Sequence, residues 1–234
     1  MQTRPATDIY WPITIEIGFV KAALGDVVNV LKHWAATPGT EYPHTYVDGG
    51  LAQNIRRLEP LTVVGYPRKL VVATRNPEWV AEFDCGARGG DPTTLVGYVA
   101  GVLNTEGVCV MDEPYRPADG KGPYGACQLT MFGPQGHYFL NYVRSVSVVQ
   151  DGGKFCFDQT GEVQPFEDVS AYARRRVRDR FTPEMLVQYT AAMGLAPFDV
   201  DFYIGPSALV EQPSAAAFQS AGTIEDVQRA RYAA

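Results

Sequence analysis

The chain has 234 residues, 46% hydrophobic and 20% charged, with a formal net charge of −6. That size and balance suit one large domain or two small ones with a substantial core, and argue against wholesale disorder. The acidity disfavours non-specific attraction to nucleic acid, and no apolar run approaches the roughly 20 residues that span a bilayer.

Residues 9–19 read as a first strand, with Ile13, Ile15 and Ile17 alternating with Thr14 and Glu16. Residues 21–35 place Ala23, Leu24, Val27, Val28, Leu31 and Trp34 on one helical stripe. Residues 40–60 are irregular apart from a helical turn around Leu51 to Leu58. Leu61–Gly65 and Lys69–Thr74 are strands, joined by a turn at Tyr66-Pro67-Arg68.

The stretch from Pro77 to Leu103 reads as strand, glycine-rich corner and helix. Trp79, Ala81 and Phe83 line one face of the strand. Gly86, Gly89 and Gly90 let the backbone reverse. Asp91 is the expected N-cap and Pro92 the first helical residue.

A strand from Gly107 to Asp112 leads into a polar loop, Glu113 to Pro123, and a strand from Tyr124 to Phe132. Asn141–Val149 and Lys154–Gln159 form a hairpin around Asp151-Gly152, a strong turn signal. Helices are expected at Val169–Arg180 and Pro183–Met193, the second with Thr182 as cap and Gly194 just past its end. Phe198–Ile204 reads as a last strand. From Pro206 the Pro-, Ser- and Ala-rich composition reads as a linker, followed by a short helix from Thr223.

The fold class is therefore α+β: a largely antiparallel sheet with helices packed on one face and a C-terminal helical tail. Residues 1–205 form a single domain, and 206–234 a linker with a short helix. Met1 to Asp8 lacks the apolar core of a signal peptide, so a cytoplasmic location is expected.

Cys85, Cys109, Cys127 and Cys156 form no C-x-x-C pair and read as small buried hydrophobes; no zinc pattern is present. His33, His44 and His137 fall in no metal or triad motif, and no cofactor motif occurs. A Cys85–His137 pairing in space is the most that nucleophilic catalysis has to draw on.

Two sites stand out, each beside a plainer explanation. The Gly86–Asp91 corner precedes a helix N-terminus, which suits an anion, and Arg88 lies on the same loop. Asp91 would repel that anion, and a tight strand-to-helix corner explains the glycines equally. The heptad Arg174-Arg175-Arg176-Val177-Arg178-Asp179-Arg180 carries +4, against −10 for the rest of the chain. A solvated helix face explains it, and so does an acidic or phosphate-bearing partner.

The 13 Tyr, including the loop residues Tyr115 and Tyr124, resemble a recognition surface. Carboxylates at Glu82, Asp84, Asp112 and Glu113 complete the inventory.

The expectation is a non-enzymatic protein-binding module, immunity-like or an adaptor, meeting another protein through acidic and tyrosine-rich loops. Inhibitors of basic toxins suit that description, so a basic partner is expected. Nucleic acid, membrane and cofactor are not. One alternative is a small-molecule enzyme with Arg88 holding an anionic substrate at the corner and Asp84 or Asp91 accepting a proton. Another is a subunit of a larger assembly whose tail docks on a neighbour, giving a homo-oligomer.

Overall fold

A computed structural model of the chain describes residues 9–34, 38–114, 125–134, 141–151, 153–212 and 218–233. Eleven strands form among them: β1 (Glu16–Val20), β2 (His44–Val47), β3 (Leu61–Val64), β4 (Arg68–Ala73), β5 (Val80–Asp84), β6 (Gly107–Glu113), β7 (Ala126–Phe132), β8 (Tyr142–Asp151), β9 (Lys154–Gly161), β10 (Ser207–Glu211) and β11 (Gln219–Gly222). The helices are α1 (Leu24–Leu31), α2 (Leu51–Asn54), α3 (Thr93–Leu103), α4 (Pro183–Ala192) and α5 (Ile224–Ala233).

Nine strands make one sheet in the order β2-β10-β4-β5-β1-β6-β7-β8-β9, antiparallel at every pairing; β3 and β11 make a second, two-stranded sheet. The fold is α+β. Strands alternate their side chains between two faces. α1 and α3 cover one face, packing Val27, Val28, Leu31, Leu95, Val96 and Val99 against Val20, Val71, Val80, Phe132 and Val210. The structure adds a cover on the second face as well. There Ile17, Phe19, Phe83, Leu129 and Val146 meet α2, α4 and the first turn of α5. The central strands are therefore covered on both sides, and β5 is buried at all five positions, Glu82 and Asp84 included.

α3 sits directly on the sheet. A Cβ on Gly18 of β1 would lie 2.6 Å from Val96 Cγ2 and 2.9 Å from Pro92 Cβ. Only a glycine lets the helix come this close. α3 starts at Thr93 with Pro92 as its cap residue, one position later than Asp91 and Pro92 suggest. α4 begins as expected: Thr182 Oγ1 accepts from Met185 N–H, Pro183 opens the helix, and Gly194 follows at φ +74°.

Several sequence expectations are corrected. The first strand begins at Glu16, because Ile13 and Ile15 are buried in a turn closed by the Ile15 N–H to Pro12 carbonyl bond. β3 pairs with β11 rather than with β4 across the Tyr66-Pro67 turn. Val169–Arg180 is not one helix. It forms two 3-10 turns, Ala171–Ala173 and Val177–Asp179, separated by Arg174 at ψ 142°. Like charges four residues apart, Arg174 with Arg178 and Arg176 with Arg180, disfavour a helix there, and Arg174 Nη1 instead donates to the Asp179 carbonyl at 2.9 Å.

Residues 198–204 hold a 3-10 turn, Val200–Phe202, rather than a strand. The segment after Pro206 is no linker at its start: Ser207–Glu211 is an inner strand between β2 and β4. α5 docks on its own chain through buried Ile224, an Arg56–Glu225 ion pair and the Gln228 amide, which donates to the Ile9 and Trp11 carbonyls. Among the described residues no helix is long and apolar enough to cross a membrane.

Candidate functional site

The glycine corner binds an anion, and that anion is the chain's own. Asp84, at the end of β5, is 2% exposed. Its Oδ1 accepts from Gly86 N–H at 2.8 Å and its Oδ2 from Asp91 N–H at 3.0 Å. The loop wraps so tightly that a Cβ on Gly90 would lie 2.9 Å from Asp84 Oδ2, and one on Gly86 only 2.2 Å from the Gly89 carbonyl oxygen. The glycines thus serve the close approach of backbone to carboxylate, and Gly89 adopts φ +98°. Arg88 and Asp91 are exposed outside this cradle. Cys85 faces the other side of the sheet, beside Thr62, so it shares no pocket with Asp84.

Beneath the first turn of α3 the sheet carries further buried charge. Lys69 Nζ lies 3.7 Å from Glu82 Oε1 and 3.8 Å from Asp84 Oδ2, with the Tyr66 ring 5.5 Å away. Glu82 is 2% exposed, and neither of its oxygens has a hydrogen-bond partner. Glu16, two residues along β1 from Gly18, accepts from Thr93 Oγ1 at 3.1 Å.

Such burial favours neutral carboxyl groups. Glu82 is pushed up to about 7, first by burial and then by Asp84, with Lys69 offsetting only part of the rise. Glu16 is pushed up to about 8, by burial and by the nearby Asp91, with the Thr93 bond pulling the other way. Burial lowers the Lys69 pKa, but Glu82 and Asp84 raise it by more, so its ammonium stays charged. The cluster can hold and exchange protons near neutral pH. Among the described residues, no group of three or more His, Cys, Asp or Glu is placed to hold a metal ion.

Glu82 and Asp84 lie together here, yet inside the protein. Asp112 and Glu113 are also buried, at 1% and 7%, and Glu113 Oε2 accepts from Trp11 Nε1 at 3.2 Å. None of these acids presents a face to a partner. Tyr115, Tyr124 and His137 lie outside the described residues. Lys69 and Glu16 were missed as site residues because each alternates with apolar neighbours, which reads as a solvent-facing position. The cover of α1 and α3 on that face makes the position interior.

The arginine segment is exposed. Arg174, Arg175, Arg176 and Arg178 project into solvent. Arg180 Nε donates to the Arg174 carbonyl at 2.9 Å, the reverse of the Arg174-to-Asp179 bond, so the segment is tied to itself. Asp168 and Asp179 approach these arginines at 3.7–3.9 Å, longer than a hydrogen bond. Two acids thus stand against five arginines.

A fourth arrangement gave no sequence signal beyond an arginine in a strand. Arg144 of β8 is 2% exposed and pairs in bidentate fashion with Glu167, at 2.8 and 2.6 Å. Tyr172 Oη donates to Glu167 Oε2 at 2.6 Å, and Asp168 N–H donates to Tyr189 Oη at 2.7 Å. Every partner in this network is satisfied from within the chain, so it anchors the root of the arginine segment to the sheet.

Comparison of the chain with protein-family models, with curated proteins and with solved structures finds no match.

Proposed function

We propose that the protein is a non-enzymatic protein-binding module, of the immunity or adaptor kind, that receives an acidic protein surface on its arginine segment. The observation that carries this reading is the exposed presentation of Arg174, Arg175, Arg176 and Arg178 together on one short segment. Reciprocal side chain-to-carbonyl bonds hold the segment, and the Arg144–Glu167 pair lies at its base. A backbone segment already held lowers the ordering cost of binding, and the planar guanidinium of arginine makes bidentate pairs with carboxylates. The earlier expectation of a basic partner loses its support, since Glu82, Asp84, Asp112 and Glu113 are all buried. A small-molecule site at the corner is likewise disfavoured, because Asp84 fills the cradle.

The test is purification at low salt with mass determination of the intact complex. The wild-type chain is compared with the triple variant Arg175→Glu, Arg176→Glu, Arg178→Glu. A stoichiometric acidic protein should accompany the wild type, dissociate as salt rises, and be missing from the variant while the thermal melt is unchanged. A complex that survives the triple reversal would sink the proposal, as would a monomer carrying only a small molecule.

A further inference from the structure

β9 ends the nine-stranded sheet, and among the described residues no further strand pairs with its outer edge. All its residues except Phe155 and Phe157 are exposed. An exposed edge of this length is a template for another strand. The direction of its backbone groups follows from the ladder. Glu162 N–H donates to the Val143 carbonyl at 3.0 Å, in the register that pairs Arg144 with Gly161. Hydrogen-bonded pairs alternate along an antiparallel ladder. Hence Cys156 and Asp158 turn their backbone groups inward to Val149 and Ser147, while Phe155, Phe157 and Gln159 turn theirs outward.

The sequence of this edge, Lys154-Phe155-Cys156-Phe157-Asp158, is self-complementary about its centre. We propose that β9 is a homodimer interface, pairing antiparallel with β9 of a second copy about a two-fold axis at Cys156. In that register Phe155 faces Phe157 of the second copy, and each of the two such pairs exchanges two backbone hydrogen bonds. Those are the outward-directed groups. Lys154 falls opposite Asp158 of the second copy, twice over. Cys156 faces its own copy in a non-hydrogen-bonded pair, where Cα atoms stand about 4.5 Å apart and side chains are closest. That spacing lies within the roughly 4.4–6.8 Å a disulfide needs.

Lys154, Cys156 and Asp158 share one face and are exposed, whereas Phe155 and Phe157 pack toward the core. A charge pattern that repels itself would block edge pairing; this one attracts. The occupant is a second copy because the complementarity is of the strand with itself. The pairing does not depend on what the arginine segment binds.

Sedimentation velocity across a concentration series tests it, with a reducing agent present. The wild type should dimerise. Lys154→Asp sets two like-charge pairs across the axis and should raise the dissociation constant roughly tenfold. Lys154→Asp with Asp158→Lys in the same chain restores opposite charges and should restore the dimer. These side chains are exposed, so folding is not at stake. Separately, diamide, which takes up two electrons and two protons, should link the two Cys156 thiols. Cys85, Cys109 and Cys127 are buried, and Cys156→Ser should abolish the link while leaving the non-covalent dimer. A wild type that stays monomeric to millimolar concentration overturns the proposal. So does a dimer indifferent to Lys154→Asp, or one that diamide does not link through Cys156.

Discussion

Replacing Glu82 by Gln isolates the cost of the buried carboxylate. In the folded chain the Glu82 pKa is raised from an ordinary 4.5 to about 7. The native state therefore binds more protons than the unfolded state between those values, and stability falls as pH rises through that window. The contribution is fully present below about pH 4.5 and lost above about pH 7. Integrated between about pH 5 and pH 8, it amounts to about 2–3 kcal/mol for this group. Gln keeps the shape and carries no charge at either pH, while Lys69 retains Asp84. Urea unfolding at the two pH values should show the stability advantage of Glu82→Gln over wild type growing by about 2–3 kcal/mol from the lower pH to the higher. Adding Glu16→Gln should flatten the remaining slope, since Glu16 titrates at about 8. A single variant that keeps the full wild-type slope would refute the assignment of buried proton binding to Glu82.

Other consequences follow from the packing and the networks. Gly18→Ala drives a methyl group into Val96 and Pro92 and should cost about 1–3 kcal/mol, read as a lowered midpoint in urea. Glu167→Ala leaves the Arg144 guanidinium buried without its carboxylate. It should cost about 3–5 kcal/mol and speed proteolytic cleavage near the arginine segment. Deleting residues 206–234 removes an inner strand and leaves β2 and β4 without their shared partner. That truncation should yield insoluble chain, whereas a trimmed domain that stayed soluble with a cooperative melt would contradict the topology.

The elements with local signals were legible. α4 was bounded by Thr182, Pro183 and Gly194, and the β8–β9 hairpin by its Asp-Gly turn. Each of those features acts through backbone chemistry a few residues away. The missed elements depended on distant partners. β2 has no apolar pattern, being exposed at its first three residues, and it exists because β10 supplies its hydrogen bonds. β10 was hidden in a Pro- and Ser-rich stretch, and the cover of both sheet faces was not visible at all. Period-two alternation tells which residues share a face, but not whether the second face of a strand, the one carrying its polar residues, meets water or a helix. Ile13, Ile15 and Ile17 gave the right periodicity while the chain was still in a turn.

The same ignorance of the second face governed the reading of charge. The acids of β5 and β6 were assigned to a partner-facing surface because carboxylates are rarely buried without partners. Here burial is made tolerable by three local devices. The corner backbone donates to Asp84, Lys69 shares its charge between Asp84 and Glu82, and protons neutralise much of what remains. At pH 7 Glu16 keeps its proton and Glu82 is near half-titrated, given pKa values of about 8 and about 7. The formal −6 counts both as ionised, so it overstates the negative charge. The arginines are exposed, whereas several of the acids that balance them in the formal count lie inside. A partner therefore meets a surface locally more basic than the net charge implies, and steering by that surface is set by the exposed groups. Net charge read from the sequence alone pointed toward a basic partner; the local charge of the exposed arginine segment is what supports the acidic partner proposed above.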